Sequence, residues 1–547
     1  MPMRWLPFNC SSGPDDEPPP IETTDTKAAM TILSLPPELT TEFFFHLVQL
    51  DPPKTSLPVS LGWINVTFVC QSWRNLALAC ASLWTDISGE FGLSWVNAFL
   101  ERSQQAPLTL REFDYDSRYF HLDDILQRTL HRIRFFSLAN VSGLACGSLV
   151  ISRPAPDMQS FHLTGRPFHP HFPESSDDSA TELFAANAPR LRALLLHDIS
   201  PFPWNSMVLS GLVSMDLRYW TWGEWETTGI FSALRNTQCL EHLAVHCQIH
   251  MEVMSNTDIV ELNHLKTLRI GGNRTFFSYV YGHLRFPCSV RLVITSMVLD
   301  PTHIRAEVQT FLALLSTRPS RHPFDGYKTL AMCPTSDSDL WLSVEAWDEE
   351  LPFTVTTAPP ASFTFTLQPQ WFMNERPPLA EVYELVVAAL RFPNTRVLRL
   401  KGDNNNAELF RALGHLPRTI STLSFAYGRN DDPSTLSDIL SRITVALRSG
   451  EGGIRELLFP KLQTLSFALE QYRLMTRIVP HHGSVERPTR LLDVLRSFVA
   501  SRQKNGGERL QTIYVHSSTL RTNSTSDRVE IPPELVSLIT EHTSPEN

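Results

Sequence analysis

The densest group of potential metal ligands lies in residues 239–250, CLEHLAVHCQIH. Five of these twelve residues are cysteine or histidine, which are common zinc ligands. The leucines and the valine between them follow the pattern of a β-strand, in which successive side chains point to opposite faces. His242 and His246 then lie on one face and Cys247 lies on the other, so these ligands do not converge on one ion. We therefore predict a strand here, and no metal or other cofactor.

Motifs typical of catalysis are missing from the sequence. It contains no nucleophile elbow, phosphate-binding glycine loop, zinc-protease HExxH or kinase signature. Histidine pairs occur at residues 169–171 (HPH) and 481–482 (HH), but no nucleophile accompanies them, which favours a surface location. We predict that the chain is not an enzyme. An active site assembled from distant residues within 90–547 is the alternative.

One aromatic stretch, residues 218–225 (RYWTWGEW), could form a binding surface. Tryptophan, tyrosine and arginine dominate the energetic hot spots of protein interfaces. The same side chains could instead pack over the edge of a sheet as core, which is the more frequent outcome. The candidate partner-binding residues of this stretch are Arg218, Tyr219, Trp220, Trp222 and Trp225.

Composition argues against nucleic-acid and membrane partners. The 547 residues carry a net charge of −10, and no block of five lysines or arginines occurs. None of the eight cysteines forms a CxxC pair, which indicates a reducing compartment. The first residues lack the apolar segment of a secretory signal, and no apolar run is long enough to span a membrane. We therefore predict a cytoplasmic or nuclear protein.

Helical patterns begin close to the N-terminus. Residues 1–30 are rich in proline, acidic and hydroxyl side chains, which predicts disorder. Residues 36–38, Pro-Pro-Glu, suit the first turn of a helix. Leu39, Phe43 and Leu47 then recur at every fourth position and predict one apolar stripe.

A second apolar stretch follows at residues 61–84, LGWINVTFVCQSWRNLALACASLW. It carries two apolar stripes offset by one position, which predicts a helix buried over a wide arc. Ala81 to Trp84 close the unit.

These two stretches together resemble an F-box. LPPEL, an apolar helix, VCQSWRNLA and SLW occur in that order, and GWI-x-VT-x-VC-x-x-WR is similar to the F-box-like domain abundant in mushroom-forming fungi. The resemblance covers residues 31–88. It implies that this domain docks on the Skp-type adaptor of a cullin ubiquitin ligase by burying apolar side chains. The residues that it assigns to adaptor binding are Leu35, Pro36, Pro37, Leu39, Phe43, Val69, Cys70, Trp73, Leu83 and Trp84.

The remainder of the chain repeats a short pattern, apolar-x-x-apolar-x-apolar. Clear copies begin at residues 133, 158, 191, 212, 240, 265, 395, 420, 462 and 510, and degenerate copies begin at 289, 327 and 362. The closest intervals resemble the period of leucine-rich repeats, in which each copy is a short strand and neighbouring copies must stack. Helices are predicted between strands at residues 181–188, 381–392 and 434–449.

The predicted fold class is α+β, with a small all-α F-box head followed by an irregular α/β leucine-rich-repeat solenoid. The solenoid is predicted over residues 89–516, and residues 517–547 are predicted to be a polar tail. Strand positions between the inward residues face the surface that repeat proteins use for binding. They include His197, Asp216, Arg218, His246, Arg269, Arg399, Lys401 and His516, of which His246, Arg269 and Arg399 join the candidate partner-binding residues. Basic and neutral polar residues outnumber acidic ones here, which favours a partner with an acidic patch.

Taken together, the resemblance implies a substrate-recognition subunit of an SCF-type cullin ubiquitin ligase. Its F-box would bind the Skp-type adaptor and, through it, the cullin, while the repeat domain would bind an unknown target protein. The alternative is a non-degradative leucine-rich-repeat scaffold, or other protein-binding protein, with a relic F-box.

Overall fold

The protein is described by a computed structural model that divides into two compact units. The first comprises residues up to Thr85 together with Asn97–Ala106, and the second comprises Asp86–Val96 and the chain from Pro107 onward. The described residues are 35–54, 58–114, 122–141, 153–165, 182–200, 202–222, 224–250, 259–298, 304–316, 325–334, 342–352, 358–369, 379–390, 392–401, 413, 416–427, 447–449, 455–457, 459–469, 491–504, 506–516 and 539–542. The predicted disorder of residues 1–30 lies outside them.

The first unit is built from helices and 3₁₀ turns. α1 spans Pro37–Leu50 and α2 spans Gln71–Ala79. The 3₁₀ turns cover Gly62–Phe68 and Ala81–Trp84. A third helix, α3 (Leu93–Arg102), contributes its residues from position 97 onward to this unit.

α1 begins where the Pro-Pro-Glu sequence predicts, but its buried face differs from the prediction. Pro37 lies in the first turn, where its missing N–H costs no hydrogen bond. Thr40 and Phe44 are buried, whereas Leu39 and Phe43 are exposed. The apolar stripe through Leu39 and Phe43 is therefore an outer face of the helix.

The apolar stretch after residue 60 does not form the single helix that its two stripes predicted. The backbone of Cys70 is extended, and its Sγ accepts a hydrogen bond from the backbone N of Trp73 at 3.5 Å. Cys70 thus caps α2 and separates it from the preceding 3₁₀ turn. That turn begins at Gly62, whose φ is +55° and where a Cβ would lie only 2.4 Å from the carbonyl oxygen of Asp51. Glycine is therefore required at this position.

An aromatic cluster forms the core of the first unit. The ring of Trp84 lies 4.9 Å from that of Trp63 and 5.0 Å from that of Phe99, both edge-on. Its indole N–H donates to the carbonyl oxygen of Ala77 at 2.8 Å, so its polar atom is satisfied despite full burial. The guanidinium of Arg102 lies 4.3 Å from the centre of the same ring. These contacts connect the 3₁₀ turns to α2 and α3.

The second unit is dominated by β-strands. In chain order they are β1 (Asp86–Ser88), β2 (Leu108–Asp114), β3 (Ile133–Val141), β4 (Ser160–Gly165), β5 (Ala193–His197), β6 (Ser214–Trp222), β7 (His242–His250), β8 (Val260–Glu261), β9 (Thr267–Gly272), β10 (Leu284–Arg285), β11 (Arg291–Val298), β12 (Thr329–Pro334), β13 (Leu342–Trp347), β14 (Phe363–Pro369), β15 (Val397–Lys401), β16 (Thr422–Tyr427), β17 (Leu447–Ser449), β18 (Arg455–Leu457), β19 (Thr464–Leu469), β20 (Thr512–His516) and β21 (Ile539–His542). Two short pairs, β8 with β10 and β17 with β18, stand apart from one large sheet.

The large sheet is almost entirely parallel, and its strand order largely follows the chain. From β1 to β7, then β9 and β11, each strand pairs in parallel with the next one of the sheet. The same holds from β12 to β15, β16, β19, β20 and β21. Between these runs, β13 pairs antiparallel with both β12 and β14, and β14 pairs in parallel with β11. Strands β12, β13 and β14 thus form a meander whose order across the sheet is the reverse of their order along the chain.

The repeated sequence pattern is confirmed as a strand signal. All thirteen copies contain a strand of the large sheet. The first apolar residue of a copy, such as Leu191 or Leu212, is buried but lies in the turn before the strand. At the strand entry one carbonyl oxygen accepts two successive backbone N–H groups; Gln159 O accepts from Arg192 and Ala193 at 2.9 and 3.0 Å. Equivalent pairs of hydrogen bonds recur at the entries of β6, β7, β9, β15, β16, β19 and β20.

Helices cover the apolar face of the sheet. They are α4 (Leu122–Thr129), α5 (Glu224–Asn236), α6 (Arg274–His283), α7 (Ile304–Ser316), α8 (Leu379–Leu390) and α9 (Leu491–Lys504). Phe277 of α6 packs 4.5 Å from Phe311 of α7, which in turn lies 6.3 Å from Phe365 of β14. The core of this unit therefore lies between these helices and the inward side chains of the strands.

The helix predictions between strands have mixed outcomes. The helix predicted at residues 381–392 is confirmed as α8. Residues 183–186 form a 3₁₀ turn in place of the helix predicted at 181–188, because Phe184, Ala185 and Ala186 have positive φ. Most of the helix predicted at 434–449 lies outside the described residues, and its last three residues form β17. The predicted polar tail contains β21, the last strand of the large sheet.

In the part of the chain that the structure describes, no helix combines the length and the apolar character needed to cross a membrane.

Arg502 of α9 ties the last repeats together. Its guanidinium donates to the carbonyl oxygens of Phe459 (2.8 Å), Leu462 (3.2 Å) and Glu508 (3.3 Å). The side chain is buried, so water does not replace these bonds if they are lost.

Replacing Arg502 by methionine should destabilise the second unit, because it removes three hydrogen bonds to backbone carbonyls and leaves the buried Leu462 O without the Arg502 donor. We expect the free energy of unfolding to fall by at least about 1–3 kcal/mol, the cost of one orphaned buried polar group. Urea denaturation followed by circular dichroism measures this change. Lys504→Met, which alters an exposed residue of the same helix, is the control. Equal stability of the two variants would contradict the assigned role of Arg502.

Candidate protein-binding surfaces

Exposed apolar side chains are concentrated in the first unit. Of the ten large apolar side chains that are exposed among the described residues, seven belong to this unit, although it is much the smaller of the two. They are Leu39, Phe43, Leu50, Val59, Leu61, Phe68 and Val69. Clusters of exposed apolar residues on a small domain mark sites of interaction with other molecules.

Part of this group lies on α1 and at the end of the Gly62–Phe68 turn before α2, and α1 packs against both. Leu39 and Phe43 are 56% and 37% exposed and lie one turn apart on the same side of α1. The ring of Phe43 is 5.9 Å from that of Trp73 in α2. Phe68 and Val69 lead into α2, and Val69 is 55% exposed. We refer to Leu39, Phe43, Phe68 and Val69 as the apolar surface.

The ten residues that the F-box resemblance assigns to adaptor binding fall into two groups. Pro36 and Pro37 are exposed beside the members of the apolar surface, and Leu35 and Cys70 are partly exposed. Trp73, Leu83 and Trp84 are buried. Little or none of their surface is exposed, so these three side chains pack within the first unit.

A second candidate surface is the polar face of the large sheet, formed by the strand residues that alternate with the buried ones. His197, Arg218 and His246 occupy successive positions in register on β5, β6 and β7. We refer to these three residues as the histidine–arginine row. His197 and Arg218 are exposed and His246 is partly exposed. Neighbouring strands are about 4.8 Å apart, so the row spans about 10 Å.

The adjacent row of the polar face, two residues earlier on each strand, adds further charged and titratable groups. It contains His162 of β4, Asp216 of β6 and Arg269 of β9, in register through the intervening strands. Arg218 donates from Nε and Nη2 to the two carboxylate oxygens of Asp216 at 3.0 and 2.9 Å. This bidentate pair fixes the orientation of the guanidinium and raises the pKa of Arg218.

His246 occupies space that only a glycine leaves free. Its Nδ1 lies 2.0 Å from the position that a Cβ on Gly271 would take, so any larger residue there would displace the imidazole. Burial lowers the pKa of His246, and the nearby Arg218 and His197 lower it further, against the opposing effect of Asp216. Burial also lowers the pKa of His162.

The other predicted partner-binding residues differ in their exposure. Tyr219 is buried, and its hydroxyl donates to the carbonyl oxygen of Ile199 at 3.0 Å, so it belongs to the core. The predictions for Trp220, Trp222 and Trp225 concern side chains that lie outside the described part of the chain. Arg269 is exposed on the polar face.

The prediction that Arg399 is available to a partner is wrong. Arg399 occupies the polar face of β15 but is buried, because residues 349–352 and 358–361 fold over this end of the face. Its Nη2 donates to the carbonyl oxygen of Pro352. Trp347 packs in the same cover, and its indole N–H donates to Pro359 O at 2.9 Å.

The predicted strand at residues 239–250 is confirmed as β7 (His242–His250). Cys247 is fully buried while His242 is exposed and His246 partly exposed, so the two histidines lie on the face opposite the thiol, as expected.

Sequence reasoning missed His162 and Gly271 as parts of the polar face. His162 stands at the fifth position of its pattern copy, between the last two apolar residues, as do Asp216 and Arg269. Aligning all copies by position would have found it. The role of Gly271 depends on the side chain of the neighbouring strand and leaves no signal in its own repeat.

Comparison with models of known protein families gives no match, and comparison with curated proteins gives no significant match.

The lowered pKa values of His162 and His246 predict that acid destabilises the second unit. An unfolded histidine titrates near pH 6.5, so the folded state binds fewer protons than the unfolded state below that value. Stability should be unaffected by these groups above about pH 7 and should fall as the pH drops through about 6.5. Urea unfolding at pH 7.5 and pH 5.5 should show a smaller loss for His162→Gln/His246→Gln than for the wild type. An equal loss in both proteins would contradict this assignment.

Proposed function

We propose that this chain is the substrate-recognition subunit of an SCF-type cullin ubiquitin ligase. The first unit acts as an F-box that docks on a Skp-type adaptor, and the second acts as a leucine-rich-repeat-like solenoid that binds a target protein. The observation that carries this proposal is the concentration of exposed apolar side chains on the unit whose sequence resembles an F-box.

The form of the apolar surface supports docking on another protein. Burying apolar area is worth about 25 cal/mol per Å², so exposed side chains such as Leu39 and Val69 gain free energy when a partner covers them. The aromatic core around Trp84 is complete without them, with its indole N–H satisfied inside the unit. Leu39 and Val69, each more than half exposed, are therefore available to an adaptor.

The architecture of the second unit supports target binding. One strand per repeat, parallel pairing in chain order and recurrent strand-entry hydrogen bonds are the features of a stacked repeat array. Such arrays offer a wide face formed by side chains from many repeats, and the polar face described above has this form. No residue of the chain would take part in covalent chemistry. The receptor would act by raising the effective concentration of the target near a ubiquitin-conjugating enzyme.

Adaptor binding should depend on the apolar surface. We expect the wild-type chain to retain a fungal Skp-type adaptor in a co-expression pull-down. Leu39→Gln/Val69→Gln should weaken the interaction at least about tenfold, because each lost apolar contact costs about 1 kcal/mol or more. Affinity is then measured by titration of the purified proteins.

The matched control is Met207→Gln/Ile259→Gln, which changes two exposed apolar residues of the second unit in the same way. This variant should bind the adaptor like the wild type. Circular dichroism and thermal melting verify that both variants remain folded. Absence of adaptor binding by the wild type, or equal loss in both double variants, would refute the docking role of the apolar surface.

A further inference from the structure

We propose that the histidine–arginine row, with Arg269, binds an acidic segment of the target protein, rich in aspartate and glutamate, and binds it more tightly as the pH falls. This inference rests on the target-binding half of the proposed function and is independent of adaptor docking. The strands that carry the proposed site are β5, β6, β7 and β9.

The donors are spread over neighbouring strands. His197, Arg218 and His246 stand side by side on three parallel strands, and Arg269 lies on the fourth strand, β9, two residues before the position in register with His246. Each strand adds about 4.8 Å, so successive donors lie across the strands at intervals that an extended peptide running over them can meet. These side chains are exposed or partly exposed. On β12 to β15 the same face is covered, so the uncovered row lies in the first half of the sheet.

The side chains of the row are held in place before a ligand arrives. Asp216 accepts both a Nε and a Nη2 hydrogen bond from Arg218, which fixes the guanidinium. Gly271 leaves the space in which the imidazole of His246 lies. A preorganised site loses less conformational entropy on binding than a mobile one.

The row fits carboxylates better than a phosphate group. Asp216 occupies the Nε–Nη2 edge of Arg218, and its negative charge lies beside any anion that approaches the other edge of the guanidinium. This repulsion is larger for a phosphate dianion than for a single carboxylate. The imidazoles of His197 and His246 and the guanidinium of Arg269 are separate donors on three different strands. Spaced carboxylates fit this arrangement better than one compact dianion does.

Protonation of His246 is linked to ligand binding at the row. His246 faces Arg218 and Asp216 of β6, Arg269 of β9 and His197 of β5, and Asp198 lies beside His197 at 3.4 Å. His162 of β4 and His242 of β7 stand further along the same face. Without a ligand, protonating His246 adds a positive charge beside Arg218. A carboxylate placed over the row offsets this repulsion, so binding takes up protons and strengthens as the pH falls.

The test uses the full-length chain and a fluorescein-labelled peptide of alternating glutamate and serine, with binding followed by fluorescence anisotropy at pH 6.0 and pH 7.5. We expect binding that is several-fold tighter at pH 6.0. A serine–phosphoserine peptide and a single-stranded RNA of the same length are the competing probes. The proposal is overturned if the glutamate peptide does not bind or binds equally at both pH values. It is also overturned if either competing probe binds more tightly than the glutamate peptide.

Two variants, each with a matched control, locate the site. Gly271→Ala displaces the His246 imidazole without changing any charge, and its control is Gly282→Ala, where an added Cβ meets nothing within 4 Å. Arg269→Gln removes one positive charge beside the row, and its control is Arg128→Gln on the exposed side of α4. Each test variant should weaken binding about fivefold, the effect of about 1 kcal/mol, and each control should bind like the wild type.

Failure of this inference is distinguishable from failure of the proposed function. If the chain retains the Skp-type adaptor but the glutamate peptide does not bind, the docking role of the first unit stands and the acidic-segment assignment is wrong. Equal weakening by test variants and their controls also contradicts the assignment, because the effect would then not arise from the row.

Discussion

The second unit depends on one constraint, which is that no strand can bury its apolar face without the next strand beside it in register. Leu196, Leu217, Val245 and Ile270 occupy one continuous rung across β5, β6, β7 and β9, and all four are buried. A parallel pair in register places like positions of successive repeats beside each other. The same registration that aligns apolar side chains inside also aligns polar side chains outside. The core and the histidine–arginine row therefore have a common origin.

The first unit meets a different constraint, because a small domain has little interior. Its aromatic core uses Trp63, Trp84 and Phe99, drawn from three separate segments of the chain. Side chains on the outer face of α1 cannot reach that interior and remain in contact with water. Exposed apolar area is unfavourable for an isolated domain, and the proposed docking on an adaptor would cover it.

The strands could be predicted because the residues of a strand carry its signal locally. The direction of each strand and its place in the sheet depend on distant segments and could not be predicted in this way. The pattern copies at residues 327 and 362 are indeed strands, but they report nothing about the meander that reverses their order through β13. In α1, three consecutive phenylalanines at 43–45 satisfy more than one helical stripe, so periodicity could not select Phe44 as the buried one. The break before α2 depends on the cap formed by Cys70, a residue that is rarely identified as a helix start.

The sequence predicts the exposure of the candidate site residues even less completely than it predicts the fold. Arg269 and Arg399 occupy the same position of the repeat pattern, between the last two apolar residues, and both point to the polar face. Arg269 is exposed, whereas Arg399 is buried beneath a segment that leaves the sheet after β13 and returns at β14. Nothing in the repeat that contains Arg399 encodes this cover. In an array of stacked strands, the pattern determines which residues share a face, while insertions between strands determine which part of that face a partner can reach. Under the proposed function, recognition of a target would therefore depend on the segments between the strands as much as on the repeated pattern.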